Sequence, residues 1–262
     1  MIIHLEERCG LPVSLNAETC EYILGENLND TSYRTRRVDD LAGVWANPIG
    51  EDLSVAYRYT AGLWLPEDEG LWKKANIIYG IVSFMPGTFG GEFIKSSGQY
   101  HPVVPPNTSA TPEVYTVLYG TGHFMLQKAV PPYEKIEDAV LVKVKAGETF
   151  VVPPDYGHLQ INPADEPLVF SYVVMDGMSG VYEPFREKQG AIYYEMASEN
   201  ESGRYVFNTN YPEKVPLRIL NARDICQLSF LNEEVNYQSV KENLDQLEFI
   251  TLPDIFPEYA GL

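Results

Sequence analysis

Cysteine and basic residues are scarce in this 262-residue sequence. Its three cysteines, Cys9, Cys20 and Cys226, contain no CxxC pair, which argues against a disulfide framework or a zinc knuckle and favours reduced thiols. Lys and Arg number 19 against 37 Asp and Glu, so the net charge is −18. Such an acidic chain repels phosphate backbones and anionic lipid surfaces. Neither nucleic acid nor a membrane is therefore an expected partner.

Long apolar runs are absent as well. The first residues, MIIHLEER, lack the basic and apolar regions of a signal peptide. The longest apolar run, 168–175, is too short to cross a bilayer. We therefore expect a cytoplasmic protein.

Turn residues and aromatic residues are abundant instead. The sequence has 20 Gly and 19 Pro, and aromatics make up 12% of it, a mixture typical of short strands joined by turns. Gly120-Thr121-Gly122, between two apolar segments, indicates a hairpin. The predicted strands cover 54–59, 76–85, 113–120, 123–127, 139–145, 149–154 and 168–175, with weaker ones near 191–196 and 204–207. This pattern predicts an all-β sandwich or barrel.

Three regions follow from this pattern. Residues 1–50 form a predicted N-terminal arm, in which Ser14 and Asn16 indicate the start of a short helix to about residue 24. Residues 51–211 form the barrel. Residues 212–262 form a C-terminal helical extension, because Tyr237, Val240, Leu244 and Leu247 make a helical stripe within 232–249.

Residues able to bind a metal occur in two stretches, 90–101 and 147–162, and at the start of the strand between them. Gln99 and His101 share a face of an extended segment, as do His158, Gln160 and Asn162. His101, Glu113 and His158 together offer two imidazoles and a carboxylate. This set suits Fe²⁺ or Mn²⁺ and also admits Ni²⁺ or Zn²⁺. Gln99 is expected either to supply a fourth, weaker ligand or to hydrogen-bond a ligand.

These stretches resemble the two motifs of the cupin superfamily. Gly147, Pro153, His158 and Asn162 have the spacing of the second motif, and His101, Glu113 and Gly120 fit the first, with Gln99 in place of its first histidine. Further segments are similar to the archaeal-type, cupin glucose-6-phosphate isomerases, over about residues 36–211: Glu113-Val114-Tyr115, Arg36-Arg37 with Asp40 and Gly43, PGTFGGEF (86–93) and DEPLVF (165–170). The resemblance implies a double-stranded β-helix, also called a jelly roll barrel.

The resemblance also implies a function. A metal-dependent isomerase would interconvert glucose 6-phosphate and fructose 6-phosphate, a step of glycolysis and gluconeogenesis, and the family suggests a homodimer. Glu113 is the candidate base for an enediol route, with Tyr115 hydrogen-bonding the sugar, and a metal-assisted hydride shift is the competing route. The family's phosphate-binding stretch aligns with Ser96 and Gly98, and Tyr182 fits a family tyrosine. Strand alternation adds Lys95 and Ser97, and Lys95 would supply local positive charge.

Two alternatives stay open at this point. The same ligands suit a cupin that acts on another sugar or as an oxygenase. The glutamine at position 99 also fits a non-catalytic sugar-binding cupin whose metal site has degraded. The proline-rich loop 102–112 is either a lid or an inert insertion, and His4 and His123 are interpreted as structural.

Overall fold

A computed structural model describes residues 1–29, 33–47, 50–198, 200, 204–225, 235–257 and 262. Cys226 and the first part of the predicted C-terminal helix, 232–234, lie outside these residues. The described strands are β1 (Ile2–His4), β2 (Val13–Asn16), β3 (Tyr22–Leu24), β4 (Tyr33–Arg37), β5 (Val55–Thr60), β6 (Ile77–Phe84), β7 (Thr88–Phe89), β8 (Glu92–Phe93), β9 (Glu113–Tyr119), β10 (Thr121–Lys128), β11 (Asp138–Lys145), β12 (Thr149–Val152), β13 (Tyr156–Ile161), β14 (Leu168–Met175), β15 (Tyr193–Glu195), β16 (Tyr205–Phe207) and β17 (Leu217–Asn221).

Helices are short throughout the described part of the chain. The α-helices are α1 (Glu6–Cys9), α2 (Glu69–Ala75), α3 (Glu183–Glu187) and α4 (Tyr237–Glu242). The 3-10 helices span Asp39–Val44, Pro66–Asp68, Ala222–Asp224, Leu244–Ile250 and Pro253–Ile255. No described helix is long and apolar enough to cross a membrane.

Two sheets form the barrel. One has six strands in the order β12-β9-β14-β6-β5-β4, and the other has four in the order β13-β10-β11-β17. Neighbouring strands are antiparallel except for β11 and β17, which run parallel. The hairpin predicted at Gly120 is wrong, because this turn joins β9 of the first sheet to β10 of the second and the two strands do not pair with each other. The all-β cupin prediction is confirmed.

An aromatic core fills the space between the two sheets. The Phe124 ring of the four-stranded sheet lies 4.8 Å from Phe150 and 5.4 Å from Phe170 of the six-stranded sheet, between ring centroids. Tyr115 packs 5.1 Å from Phe124 and is 3% exposed. These rings hold the sheets apart and close the barrel interior around the Tyr115 hydroxyl.

A second core covers the outer face of the six-stranded sheet, and it explains why 168–175 reads as a continuous apolar run. Alternate residues of β14 belong to different cores: Phe170 packs inside the barrel, whereas Val169 and Val173 pack against N-terminal and C-terminal segments. A strand buried on both faces has no polar face to alternate with. Tyr237 of α4 anchors the C-terminal segment there, since Trp72 Nε1 donates to its hydroxyl at 2.8 Å.

The predicted region boundaries need correction. The barrel sheets begin with β4, inside the predicted arm of 1–50, and end with β17, beyond residue 211. Both are edge strands with polar or exposed faces, so their apolar pattern is weak. The helix predicted from Ser14 is wrong: β2 and β3 form a hairpin, because Val13 and Leu15 alternate into the second core. The C-terminal stripe is split between α4 and the 3-10 helix Leu244–Ile250.

Candidate metal centre

The structure brings three of the predicted ligands together inside the barrel. Glu113 begins β9, His158 lies on β13, and His101 follows the irregular segment that pairs with β13. One ligand atom from each residue lies within 4.8 Å of the others, and all three side chains are buried. Glu113 Oε2 is 3.2 Å from the Nε2 atoms of both His101 and His158.

Backbone carbonyls set the orientation of both imidazoles. His101 Nδ1 lies 2.7 Å from the Thr111 carbonyl oxygen, and His158 Nδ1 lies 3.3 Å from that of Tyr156. Because a carbonyl oxygen only accepts, each Nδ1 carries the proton, and each Nε2 directs a lone pair towards Glu113. Glu113 Oε2 and His158 Nε2 are buried without a hydrogen-bond partner. Acceptor atoms that converge without a donor fit a cation.

The protonation states suit metal binding. Burial alone would raise the pKa of Glu113, but its interactions with His101 and His158 outweigh burial and lower that pKa to about 2. Burial lowers the pKa of His158, and the neighbouring His101 adds to this effect. At neutral pH the carboxylate is therefore ionised and His158 is neutral, as ligands must be.

Gln99 lies beside this cluster, as predicted for either of its two roles. Its Nε2 is 3.3 Å from His101 Nε2, and its backbone exchanges two hydrogen bonds with His158, at 3.0 and 2.9 Å. Gly180 lies so close that a Cβ there would overlap Gln99 Oε1. The amide is therefore packed at the edge of the cluster. A half-turn of the amide group would place its oxygen, instead of its nitrogen, next to the ligand atoms.

The proline-rich loop 102–112 is attached to the C-terminal segment. Asp254 accepts hydrogen bonds from the Thr108 backbone and hydroxyl and from the Ser109 backbone, at 2.9–3.1 Å. At the other end of the loop, Ala110 N donates to Asp155 Oδ1 at 3.1 Å. Since Thr111 of this loop orients His101, the loop contributes to the cluster directly. This arrangement corresponds to neither of the two roles considered for the loop, a lid or an inert insertion.

Tyr115 stands next to the ligands, as predicted. Its hydroxyl accepts from Gln160 Nε2 at 2.8 Å, and its ring centroid is 5.9 Å from that of His158. Burial, and then the nearby Glu113 carboxylate, raise the pKa of Tyr115 well above its usual value. The hydroxyl therefore keeps its proton and acts as a donor inside the barrel.

Asn162 instead donates to the carbonyls of Met85 and Glu166, so it supports the barrel wall.

Lys95 is directed away from the cluster, which corrects its predicted role. Lys95 pairs with Ile161 and Gln99 with His158, so five residues on one segment lie opposite four on the other. Such a bulge reverses the alternation, and Lys95 and Gln99 face opposite sides. The Lys95 ammonium is buried in an ion pair with Glu92 and donates to the Val44 carbonyl. It is not available to a phosphate group in the barrel.

The other predicted phosphate residues lie along this irregular segment and near the barrel mouth. Ser96 is buried and its hydroxyl accepts from Gln160 N at 3.2 Å, whereas Ser97 lies near Tyr57, whose pKa is raised by burial. Gly98 has φ +75, and a Cβ there would overlap the Phe185 ring. Tyr182 is half-buried, and burial followed by the charge of nearby groups, including Glu113, raises its pKa.

Sequence reasoning missed the position of one residue at this mouth that carries relevant chemistry. Arg36 lies on β4, and its Nη2 is 3.3 Å from the hydroxyl of Tyr59 on β5. The Arg36 charge also influences the pKa of Tyr57 and Tyr182. Arg36 had entered only as part of a family pattern. The sequence signal for Arg36 is the polar alternation of YRTRR. Recognising this segment as an edge strand would have placed Arg36 beside the barrel.

Comparison with known proteins gives one family. The family model described as "Glucose-6-phosphate isomerase (GPI)" matches residues 35–213. Glucose-6-phosphate isomerase of Thermococcus litoralis is 28% identical over 141 residues, which cover 52% of this chain and 65% of that protein. That of Pyrococcus abyssi is 27% identical over 52% of this chain and 66% of its own. The chain thus spans just under two thirds of the length of these relatives.

A more distant relative and a solved structure extend the comparison. Glucose-6-phosphate isomerase of Sinorhizobium medicae is 23% identical over 68% of this chain and 79% of that protein. The structure of oxalate decarboxylase from Bacillus subtilis matches 48% of this chain and 27% of its own, with 20% identity and a TM-score of 0.34.

Proposed function

The chain belongs to the glucose-6-phosphate isomerase family, and from this premise we propose that it is a metal-dependent aldose–ketose isomerase that interconverts glucose 6-phosphate and fructose 6-phosphate. The observation that carries the proposal is the buried convergence of His101, Glu113 and His158, two atoms of which lack a hydrogen-bond partner. The homodimer expected from the resemblance is part of this proposal, and light scattering of the purified protein tests it.

The ligand set supports Fe²⁺ or Mn²⁺ as the metal. Two imidazole nitrogens and one carboxylate oxygen are the donors that these ions accept while leaving positions open to a substrate. A bound divalent ion would polarise the sugar carbonyl and hold the neighbouring hydroxyl beside it. Gln99, a neutral amide where relatives of the cupin type carry an imidazole, would add a weaker fourth contact.

Two side chains on β9 are placed for the proton transfer between C1 and C2. Glu113 is ionised, and its second oxygen, Oε1, is the atom left to take and return a proton. Tyr115, two residues on and on the same face, stays protonated and would donate a hydrogen bond to a sugar oxygen. The aromatic core around them excludes water, so an enediol would be protected from the solvent.

The phosphate end of the proposed substrate site lies at the barrel mouth. The Ser97 hydroxyl, the backbone N–H of Gly98 and the Tyr182 hydroxyl would bind phosphate oxygens there. Arg36 takes the role first given to Lys95, because its guanidinium is exposed and shares the electrostatic environment of Tyr57 and Tyr182. A guanidinium suits a phosphate group, since its parallel N–H donors match two oxygens.

Gln99 favours one competing function, a sugar-binding cupin without catalysis. Its Nε2 faces His101 Nε2 at 3.3 Å, so the amide occupies a donor position beside the ligand atoms. A protein in which this hydrogen bond replaced a metal contact would retain the pocket and lose the reaction. Rotating the amide restores an oxygen ligand, and metal binding therefore separates the two functions.

A coupled spectrophotometric assay with fructose 6-phosphate tests the proposal. The purified protein is stripped with a chelator and assayed alone, with Mn²⁺ and with Fe²⁺. We expect activity that returns with metal, is lost in His101→Ala and is retained in the matched variant His4→Ala, whose histidine is exposed. Tight metal binding without turnover would reject the isomerase, and activity only after Gln99→His would identify a degraded site.

A further inference from the structure

A second polar site lies on the outer face of the four-stranded sheet. We name it the outer cleft, a depression of about 380 Å³ lined by Thr121, His123, Lys143, Pro163, Ala164, Ser198, Arg204 and Tyr205. On β10, Leu126 pairs with His158, whose side chain points into the barrel. His123 is three residues from Leu126, so its side chain points to the opposite face. The outer cleft is therefore separate from the candidate metal centre.

A buried carboxylate orients the histidine of this cleft. His123 Nδ1 lies 2.8 and 2.9 Å from the two oxygens of Glu195, whose side chain is fully buried. Arg204 binds the same carboxylate, through Nε at 2.8 Å and Nη2 at 2.7 Å. The Glu195 charge is thus shared by two donors. The His123 ring is fixed, and Nε2, which makes no hydrogen bond to any described residue, is left as the free ring nitrogen.

The charge of the outer cleft is opposite to that of the chain. Lys143 stands directly across from His123 in the pairing of β10 with β11, and it forms no ion pair with a described residue. Arg204 keeps 27% of its side chain exposed. The described residues that line the cleft include no carboxylate. A protein with net charge −18 therefore presents three cationic or protonatable groups around one depression.

From this arrangement we propose that the outer cleft binds a small phosphate monoester. Lys143 and the exposed edge of Arg204 pair with phosphate oxygens, His123 Nε2 donates once the ring is protonated, and the Thr121 hydroxyl adds a neutral donor. This site is independent of the proposed isomerase activity, because none of its residues belongs to the metal centre or the barrel mouth.

Nuclear magnetic resonance of protein labelled with ¹⁵N-histidine tests the proposal. Inorganic phosphate, glycerol 3-phosphate and acetate are titrated at constant ionic strength. We expect a saturable shift of the His123 ring nitrogens with both phosphates. Lys143→Gln should weaken this binding roughly tenfold, the loss of one charged hydrogen bond. The matched variant Lys128→Gln, on the neighbouring strand β10 and paired with Glu137, should leave it unchanged.

Three results would overturn the proposal. They are the absence of a saturable His123 shift, equal weakening by both lysine variants, and acetate binding as tightly as glycerol 3-phosphate. Because His101 and His158 report separately on the metal centre, phosphate binding there leaves the outcome for His123 unaffected. A protein inactive as an isomerase would still show the His123 shift.

Discussion

Gly98 offers the sharpest test of the irregular segment beside the candidate metal centre. Its φ of +75 is left-handed, and a Cβ at this position would overlap the Phe185 ring. In Gly98→Ala the left-handed backbone costs about 1–2 kcal/mol, and forcing a methyl group against a buried ring costs about 1–3 kcal/mol. The free energy of unfolding should therefore fall by about 2–5 kcal/mol in total.

Gly177→Ala is the matched control, because its φ is +69 and a Cβ there meets nothing within 4 Å. It carries only the backbone cost, so the two variants should differ by about 1–3 kcal/mol. For a chain of this size that difference corresponds to about 2–12 °C in the melting temperature. Urea unfolding monitored by tryptophan fluorescence, together with calorimetry, measures it. Equal destabilisation of the two variants would refute the close approach of residue 98 to Phe185.

Three further predictions follow from the same contacts. Lys95→Ala should lower the free energy of unfolding by about 3–5 kcal/mol, because it leaves Glu92 buried without its cation. The Michaelis constant for fructose 6-phosphate should stay the same. A large rise in that constant would indicate that Lys95 binds the phosphate group after all. Asp254→Ala should weaken Mn²⁺ binding up to about tenfold, because it frees the loop that orients His101. The surface variant Asp245→Ala should leave Mn²⁺ binding unchanged. Equal losses of Mn²⁺ affinity in the two variants, measured by metal titration, would contradict this prediction. Burial raises the pKa of Cys9 to about 12 and that of Cys20 to about 11, so both stay neutral thiols at pH 8. In a Cys226→Ser background, Ellman's reagent should therefore label them only after unfolding. Rapid labelling of the native protein would contradict their burial.

The candidate metal ligands were predictable because each belongs to a local pattern. His158 follows Gly147 and Pro153 at the spacing of a known motif, and Glu113 begins an apolar strand. Such patterns depend on residues near in sequence, and β9 and β13 are regular enough for alternation to hold. The strands themselves were predictable for the same reason, except the edge strands β4 and β17.

Lys95 shows where alternation fails. Counting in twos from His101 places Lys95 and Gln99 on one face, but the bulge that includes Gly98 adds a residue and reverses the count. Nothing in the letters KSSG distinguishes a bulge from a regular strand. The glycine is the only local sign, and its meaning depends on Phe185, which lies 87 residues away in the sequence.

Contacts between distant segments were beyond reach. His123 was interpreted as structural because it has no partner nearby in sequence, yet Glu195 binds it from 72 residues away. The attachment of loop 102–112 to Asp254 joins residues about 145 apart. A pairwise contact of this kind leaves no periodic trace, so composition and spacing cannot reveal it.

That attachment also has a consequence for biosynthesis. The three candidate metal ligands have all been made once the ribosome has passed residue 158, whereas Asp254 follows nearly a hundred residues later. Until then the loop 102–112, which holds the Thr111 carbonyl against His101, lacks its hydrogen bonds to Asp254. A nascent chain halted between these points would thus hold the proposed cation less firmly than the full chain, and loading with metal would then be a late event in maturation.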